Sequence, residues 1–188
     1  MSTAGVLLAA GAGTRFSGPS HKLLAELDGR TVFDRALSSL VEAALDETAV
    51  VRGAADVSGT LAARRVDIVE LVNERWRCGI ASSVRCAAFW AARQGHDAIV
   101  VGLADQPFVA SSAWRAVAAG AGPITVAAYH GRRGNPVRLA KEVWPLLPWR
   151  GDEGARALIR RLPEIVLPLA CQGLPDDIDT MEDLRRWS

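Results

Sequence analysis

The glycine-rich turn after the first apolar run constrains this chain most. Val6–Ala9 form a short apolar run, which we interpret as a buried strand. Glycines at positions 11 and 13 allow a sharp turn and a close approach of the backbone to a ligand. Successive backbone N–H groups in such a turn bind anions, and Arg15 and Lys22 add positive charge nearby. The segment therefore predicts a binding site for phosphate groups.

Two common phosphate-binding motifs are disfavoured by residues that this segment lacks. A P-loop requires Lys and then Ser or Thr directly after its second glycine, whereas Pro19 and Ser20 follow Gly18. The dinucleotide-binding fingerprint requires a third glycine where Phe16 stands, and an acidic residue at the end of the second strand. The second apolar segment, Ala49–Arg52, ends without an acidic residue. A P-loop NTPase and a dinucleotide-dependent dehydrogenase therefore both lose support.

Composition restricts the partners of the chain. Its 188 residues are a length typical of one domain, and 49% apolar with 23% charged residues is usual for a soluble protein. A net charge of +1 gives no electrostatic reason to expect nucleic acid or a membrane surface as a partner. The first residues do not have the pattern of a signal peptide, and no apolar run has the length of a membrane span. We therefore expect a single domain over residues 1–188 and a cytoplasmic location.

Strand-like and helix-like segments alternate along nearly the whole chain. The expected strands are Gly5–Ala9, Thr48–Arg52, Val66–Val72, Ala98–Leu103, Ile124–Tyr129, a shorter and antiparallel Pro136–Leu139, and Glu164–Leu169. The expected helices are Val32–Ala44, Ser82–Gln94, Ser112–Ala119, Ala140–Leu147, Asp152–Arg161 and Thr180–Trp187. This alternation predicts an α/β fold, with a mostly parallel twisted sheet and helices on both faces. Because ligands bind beyond the carboxyl ends of strands in such sheets, residues that follow strands are the candidates for a site.

An aspartate ends the expected strand over Ala98–Leu103. This strand is among the most hydrophobic runs of the chain, which predicts a central place beside the first strand, and Pro107 prevents it from continuing past Asp105. A carboxylate that faces a phosphate site is repelled unless a cation lies between the two, and Mg²⁺ suits both groups. The alternative is an aspartate that only forms a turn.

With these segments read, the chain resembles the MobA-like NTP transferases, which include enzymes that activate sugars, isoprenoid precursors and molybdopterin. The resemblance is carried first by Leu8-Ala9-Ala10-Gly11-Ala12-Gly13-Thr14-Arg15 and Lys22, and it is strongest to the molybdenum cofactor cytidylyltransferase-like proteins. Five segments match in family order over essentially the whole chain. The resemblance implies a Rossmann-like nucleotidyltransferase fold, with nucleotide contacts from Leu8, Ala9, Ala10, Gly11, Ala12, Gly13 and Lys22.

The resemblance also assigns nucleotide contacts after the third expected strand. The segment Asn73–Ser83 is similar to the family segment that contacts base and ribose, which implies this role for Gly79, Ser82 and Ser83. Glu74 and Ala81 depart from the family pattern, in which proline and serine are common at these positions. A simpler alternative for Ser82 is the N-cap of the following helix.

Two aspartates are implied to hold the metal ion. The segments around Asp105 and Asp179 are similar to the two metal-binding segments of the family, which implies a Mg²⁺ ion bound to both carboxylates. Met181 stands where the family has proline. Thr180 and Asp183 have the spacing of a helix capping box, which would explain part of this segment without a metal but does not require Asp179.

Two further segments favour the molybdopterin branch. Gly134–Val137 is similar to its acceptor-side loop, and Gly151–Arg156 is similar to its Gly-Asp-x-Gly-Ala-Arg motif. A turn at Gly134 and a helix N-cap at Asp152 are the structural alternatives. The implied acceptor-binding residues are Gln106, Asn135, Pro136 and Asp152.

Together these features predict a Mg²⁺-dependent nucleotidyltransferase that joins NMP to a phosphorylated acceptor and releases pyrophosphate, with Arg15, Lys22 and Asp105 as catalytic residues. CTP is the expected nucleotide, because Ala10 stands where guanylyl members have glycine, and molybdopterin is the expected acceptor. Transient docking to a molybdoenzyme is expected in that case. The alternatives are a sugar phosphate or phospholactate as acceptor, and a non-catalytic nucleotide-binding accessory protein.

Overall fold

The computed structural model describes residues 1–18, 20–64 and 66–187. Its strands are β1 (Thr3–Ala9), β2 (Glu26–Leu27), β3 (Arg30–Thr31), β4 (Glu47–Arg52), β5 (Val69–Val72), β6 (Ala98–Leu103), β7 (Ile124–Tyr129), β8 (Arg132–Ala140) and β9 (Val166–Ala170). Its α-helices are α1 (Val32–Glu42), α2 (Ser58–Ala62), α3 (Ile80–Gln94), α4 (Ser111–Ala118), α5 (Ala155–Arg161) and α6 (Met181–Trp187). No helix in these described parts is long and apolar enough to cross a membrane.

Seven strands form one sheet in the order β5-β4-β1-β6-β8-β7-β9. The pairs β4–β5, β1–β4, β1–β6 and β7–β9 are parallel, and β8 runs antiparallel to both of its neighbours. The predicted mostly parallel α/β fold is therefore confirmed, and the expected antiparallel strand is present but longer. Because β1 and β6 are adjacent, Leu8 pairs with Leu103, and Ala104 N–H donates to the Leu8 carbonyl at 3.0 Å. This pairing brings the glycine-rich turn next to Asp105.

Helices cover both faces of the sheet, as predicted. On one face, α3 and α5 bury Val84, Ala87 and Leu158 against β1 and β6. On the other face, α1 and α4 bury residues such as Phe33 and Trp114. Gly102 of β6 is required here, since a Cβ atom at this position would lie 2.5 Å from the Trp114 ring. The central strands are packed between these two apolar layers. This packing positions the residues at the carboxyl ends of the strands.

Several predicted helix boundaries are wrong, and glycines explain two of them. The α3 helix starts at Ile80 after Gly79, whose φ is +89°, so Ser82 lies within the first turn and does not cap the helix. The α5 helix starts at Ala155 after Gly154, whose φ is +49°, so Asp152 is not its N-cap. In both places, a glycine in a backbone conformation that other residues rarely adopt ends the preceding loop.

Other elements also differ from the sequence prediction. The helix expected over Ala140–Leu147 is a 3-10 helix over Lys141–Leu146 that contains Pro145, since proline cannot donate a backbone hydrogen bond. The β2–β3 hairpin was missed, although its Asp28-Gly29 turn, with φ values of 49° and 75°, has the sequence typical of two-residue hairpin turns. The short helix α2 was also missed, and β5 begins three residues later than expected.

Candidate functional site

A hydrogen bond from a histidine side chain holds the loop after β1. The Nε2 atom of His21 lies 3.0 Å from the carbonyl oxygen of Gly11, and Leu23 N–H donates to its Nδ1 at 3.2 Å. Since Nδ1 accepts, Nε2 carries the proton and donates to Gly11. Burial lowers the pKa of His21, which favours this neutral form. Gly13 has a φ of +63°, and a Cβ atom there would lie 2.9 Å from the imidazole, so the loop has its shape only with glycine at this position.

Four charged side chains meet beside this loop. The ammonium Nζ of Lys22 lies 2.6 Å from Asp105 Oδ2 and 2.7 Å from Asp179 Oδ1, and Arg15 Nη2 lies 2.9 Å from Asp179 Oδ2. Lys22 is only 9% exposed, whereas the Arg15 side chain is 75% exposed. Burial alone would lower the pKa of Lys22, but the two carboxylates outweigh burial and raise it. The lysine is therefore charged and holds the two aspartates together.

Asp179 is brought to this cluster by the segment before α6. The buried Ile178 donates its N–H to the carbonyl of Asp105 at 2.8 Å, which ties this segment to the end of β6. Thr180 Oγ1 accepts from Asp183 N–H at 3.1 Å, and Asp183 Oδ2 accepts from Thr180 N–H at 2.8 Å. This reciprocal pair is the capping box that the sequence indicated. The neighbouring residues therefore hold the backbone of Asp179 in place, and its carboxylate pairs with Lys22 and Arg15.

Three adjoining cavities open around the charged cluster, and each of them is lined by Leu8, Asp105 and Asp152. The first, here called the loop cavity, measures about 470 Å³ and is lined by residues 11–15 and Lys22. The glycine-rich loop, Arg15 and Lys22 form a side of this cavity that suits phosphate groups, and Asp105, Asp152 and Asp179 add carboxylates to its wall.

The second, here called the α3 cavity, measures about 330 Å³ and lies between the loop and the start of α3. Its other lining residues are Ala10, Gly11, Ala12, Trp76, Arg77, Gly79, Ile80, Ser83 and Leu103. The guanidinium of Arg77 stacks 4.4 Å from the centre of the Trp76 ring. Trp76 in turn packs on Gly53, where a Cβ atom would lie 2.8 Å from the tryptophan Cγ. Trp76 and Arg77 therefore give the cavity an aromatic and a cationic side chain in its wall.

The third, here called the β8 cavity, measures about 180 Å³ and extends toward β8. Its floor is apolar and consists of Leu8, Ile80, Val84, Val101, Leu103, Val137 and Ala155. Its polar wall consists of Arg15, Asp105, Asn135, Asp152, Glu153, Arg156, Asp177 and Asp179. The cavity therefore combines an apolar surface with a strongly acidic edge.

The predicted acceptor-binding residues separate into two groups. Asn135 and Asp152 line the β8 cavity. Gln106 is only 4% exposed, and its amide bonds to Asn135, Asp177 and the carbonyl of Pro175. Pro136 is buried in β8, after a cis peptide bond with Asn135. The structure thus places Gln106 behind the cavity wall, not in it.

The paired serines also separate. Asn73 Nδ2 donates to Ser82 Oγ at 2.8 Å and to Ser83 Oγ at 3.0 Å. Ser83 faces the α3 cavity, together with Gly79. Ser82 faces a different depression, beside Arg85 and the exposed Trp149, and its hydroxyl donates to backbone carbonyls of the same loop. Ser82 therefore holds the loop before α3 from outside the α3 cavity.

The cluster of Asp105 and Asp179 could hold a cation. Asp105 Oδ1 is buried and has no hydrogen-bond partner, so this oxygen has lone pairs that no protein donor among the described residues uses. Within residues 1–18, 20–64 and 66–187 no group of three or more His, Cys, Asp or Glu side chains is arranged around a metal position. Two carboxylates leave most coordination positions of a hard cation to phosphate oxygens and water, which is the usual situation of Mg²⁺ in phosphate-transferring sites.

His21, Trp76 and Arg77 are site residues that the sequence analysis missed. Trp76 and Arg77 lie within the segment that it assigned to base and ribose, but only small residues were singled out there. An aromatic ring next to an arginine was a usable signal for a stacking surface. His21 had no such signal, since its role depends on the carbonyl of Gly11, ten residues away.

Comparisons with known proteins show the family and the fold of the chain. A family model described as the MobA-like NTP transferase domain matches residues 5–166. The structure is similar to Rv0371c from Mycobacterium tuberculosis H37Rv, with 31% identity and a TM-score of 0.81 over 99% of this chain and 97% of that one. A manganese complex of Rv0371c has 30% identity and a TM-score of 0.78 over 100% of this chain and 98% of that one.

A nucleotidyl transferase from Methanothermobacter thermautotroptrophicus, Mth528, shares the fold at 23% identity, with a TM-score of 0.83 over 98% of this chain and 95% of that one. A search of the curated proteins returns no significant match.

Proposed function

Because the chain belongs to the MobA-like NTP transferase family, we propose that it is a Mg²⁺-dependent cytidylyltransferase that transfers CMP from CTP to molybdopterin. Nucleotidyl transfer to a phosphorylated substrate is the reaction of the family. The observation that carries the proposal is the cluster of Arg15, Lys22, Asp105 and Asp179 at the junction of the loop, α3 and β8 cavities. Two molecules bound in these cavities would meet at this cluster.

The proposed reaction is an in-line displacement at phosphorus. A phosphate oxygen of the acceptor forms a bond to the α-phosphorus of CTP, and the bond from this phosphorus to the oxygen that bridges to the β-phosphate breaks. Pyrophosphate leaves with that electron pair. The protein has to align the two phosphates and neutralise their charge, and it needs no covalent nucleophile.

Each charged residue has a part in this scheme. The backbone around Gly11 and Gly13, together with the exposed Arg15, binds the triphosphate in the loop cavity. Lys22 places a buried positive charge where charge develops on the α-phosphate. A Mg²⁺ ion bound by Asp105 and Asp179 would supply further neutralisation of phosphate charge. The similar protein Rv0371c has been solved in complex with manganese, which supports the binding of a divalent cation.

The α3 cavity is the proposed position of the cytosine base. Trp76 and Arg77 offer a stacking surface, and Gly79 and Ser83 line the same cavity. Ala10 is 4% exposed, and its methyl group takes up space at the edge of the cavity. This narrowing favours the smaller pyrimidine base over a purine.

The β8 cavity supports a heterocyclic acceptor. A sugar phosphate would turn several hydroxyl groups toward Val101, Leu103 and Val137, where they would lose hydrogen bonds with water without replacing them. A flat ring such as the pterin of molybdopterin instead matches an apolar floor with polar groups along one edge. Asn135 and Asp152 are the proposed contacts to this ring, and Gln106 and Pro136 support them from behind.

The product is proposed to pass to a molybdoenzyme that docks transiently in the cytoplasm. Phe89 and Trp149 are 67% and 70% exposed, and they flank a depression next to the α3 cavity. Large exposed aromatic side chains of this kind commonly mark interaction surfaces.

Pyrophosphate release with each of the four NTPs, with and without molybdopterin, tests the proposal. We expect release that requires both CTP and molybdopterin. In Ala10→Gly the preference for CTP over GTP should weaken by about 1–3 kcal/mol, the value of one methyl group in a fitted pocket. Release with a sugar phosphate or phospholactate in place of molybdopterin would assign another acceptor. Tight nucleotide binding without any release would indicate an accessory protein.

A further inference from the structure

We propose that Gln106 is a positioning residue that fixes Asn135 Oδ1 as a hydrogen-bond acceptor in the β8 cavity, so that this cavity selects a substrate that presents N–H donors to Asn135. The inference rests on the proposed function in one respect, namely that the β8 cavity receives the acceptor. Beyond the proposed function, the inference states which partner donates and which accepts in the hydrogen bonds to the ligand. Gln106, which lies outside the cavity wall, determines this.

The orientation of the Gln106 side chain is determined by its surroundings. Its Nε2 atom lies 2.9 Å from the carbonyl oxygen of Pro175 and 2.8 Å from Asp177 Oδ1. A backbone carbonyl can only accept a hydrogen bond, so the amide nitrogen of Gln106 has to face Pro175. Gln106 is only 4% exposed, and its amide is held by three hydrogen-bond partners, so the reversed orientation of the amide is disfavoured.

The orientation of Gln106 determines that of Asn135. The remaining atom of the amide, Oε1, accepts from Asn135 Nδ2 at 3.0 Å. The backbone of Asn135 is held as well, since the Tyr129 hydroxyl donates to its carbonyl at 2.7 Å. With Nδ2 committed to Gln106, Asn135 Oδ1 has no hydrogen-bond partner in the described parts of the chain, and Asn135 lines the β8 cavity. Asn135 therefore offers an acceptor oxygen to a ligand.

The neighbouring polar groups have the same polarity. Asp152 and Asp177 line the same cavity, and ionised carboxylates only accept hydrogen bonds. The carboxylate of Glu153, also at this cavity, is paired with Arg160. The cations of the cavity wall, Arg15 and Arg156, suit the phosphate of the ligand. The matching molecule is a planar nitrogen heterocycle with an amino group and a ring N–H on one edge and a phosphate elsewhere. A heterocycle that turns a carbonyl oxygen toward Asn135 would leave two acceptors facing each other.

A charge swap tests the role of Gln106. The probe is 6-hydroxymethylpterin monophosphate, and its binding is measured by its fluorescence, with CTP binding measured separately by calorimetry. In Gln106→Glu a second carboxylate faces Asp177 where a donor stood at 2.8 Å, and we expect binding of the probe to weaken at least about tenfold. Gln106→Glu combined with Asp177→Asn restores the donor–acceptor pair between residues 106 and 177 but leaves an oxygen of residue 106 facing the Pro175 carbonyl, so binding should recover in part, by about threefold over Gln106→Glu alone. CTP binding should be unchanged in both variants.

The matched control is Gln94→Glu, which adds the same charge at an exposed position at the end of α3 and should leave binding of the probe unchanged. A purely structural role of Gln106 would lower stability and both affinities together, and the swap would not rescue one of them.

A comparison of two ligands that bind to the unaltered protein does not depend on whether any variant folds. The lumazine counterpart of the probe carries a carbonyl oxygen in place of the amino group, and we expect it to bind at least about tenfold more weakly. Equal or tighter binding of the lumazine, no binding of the pterin, or a swap that fails to rescue would overturn the inference. Pyrophosphate release from CTP with molybdopterin decides the proposed function separately. Release together with a failed swap refutes only the inference, and no release together with a successful swap refutes only the reaction.

Discussion

The site has a loop side, residues 10–18 and 20–22, and a β8 side, which contains Gln106, Asn135 and Asp177. The two sides differ in how their functional groups are held. The loop side is one continuous segment, in which backbone amides and two cations face the cavity. The β8 side is assembled from segments far apart in the chain and is connected by side-chain hydrogen bonds. The binding chemistry of a continuous segment can be predicted from the sequence, because its functional residues are neighbours in the chain. For a network of distant side chains, the sequence predicts only that its members lie at the ends of strands.

Removal of the charge of either aspartate should have the largest effect, because Asp105 and Asp179 serve both sides of the site. Asp105→Asn and Asp179→Asn preserve shape but remove the negative charge that would hold a divalent cation. We expect turnover to fall by about three orders of magnitude in each. Pyrophosphate release measures this, and thermal unfolding checks that each variant is folded.

Asp176→Asn is the matched control, since Asp176 is an exposed carboxylate of the same segment, and it should retain activity. Full activity of Asp179→Asn would show that Asp179 is not required as a metal ligand. Its remaining role would then be the structural one of pairing with Lys22.

The two cations of the loop side should differ in their effects. Lys22 is buried between two carboxylates, so Lys22→Met should lower kcat about 100-fold, with a smaller change in KM for CTP. Arg15 is largely exposed, so Arg15→Met should raise KM for CTP by about three- to tenfold and leave kcat nearly unchanged. Steady-state kinetics of both variants measure the difference. Equal increases in KM with unchanged kcat in the two variants would contradict this division.

The backbone of the loop side should respond to a methyl group at one glycine and not at the other. Gly13→Ala has to adopt a φ of +63° against the His21 ring, and we expect a loss of about 1–2 kcal/mol in the free energy of unfolding. Gly11→Ala is the matched control, because a Cβ atom there has no neighbour within 4 Å, and it should cost less than about 0.5 kcal/mol. Urea unfolding at neutral pH measures both. Equal losses would show that the shape of the loop does not depend on Gly13.

The smallest expected effect concerns His21. Burial lowers the pKa of this histidine. A histidine with a lowered pKa in the folded state stabilises the protein fully above its ordinary pKa, and this contribution is lost as the pH falls below that value. Protonation of Nδ1 also removes the acceptor for Leu23 N–H. We expect the unaltered protein to lose more stability between about pH 7.5 and about pH 5.5 than His21→Asn does. Urea unfolding at both pH values tests this, and an identical pH dependence of the two proteins would refute it.

The positions of site residues could be predicted better than their roles. Alternation of strands and helices gave the sheet, and the hydrophobicity of Ala98–Leu103 correctly placed Asp105 beside the first loop. Asp179 was located by its segment, and the capping box of Thr180 was visible in the sequence. The role of Gln106 could not be predicted, since its partners lie 29 and 71 residues away in the chain. The starts of α3 and α5 were missed because glycine conformations, not hydrophobic spacing, set them.

The backbone hydrogen bond from Ile178 to Asp105 makes the proposed catalytic centre depend on a segment that contributes no strand to the sheet. Every strand of the sheet lies before residue 171, so a chain cleaved between residues 171 and 178 would retain the complete sheet and lose Asp179. Circular dichroism of such a preparation would report the strands of the sheet, although the protein has only one of the two carboxylates proposed to hold the metal ion. The fraction of molecules able to turn over has to be counted by titration of the site itself, not inferred from the fraction that is folded.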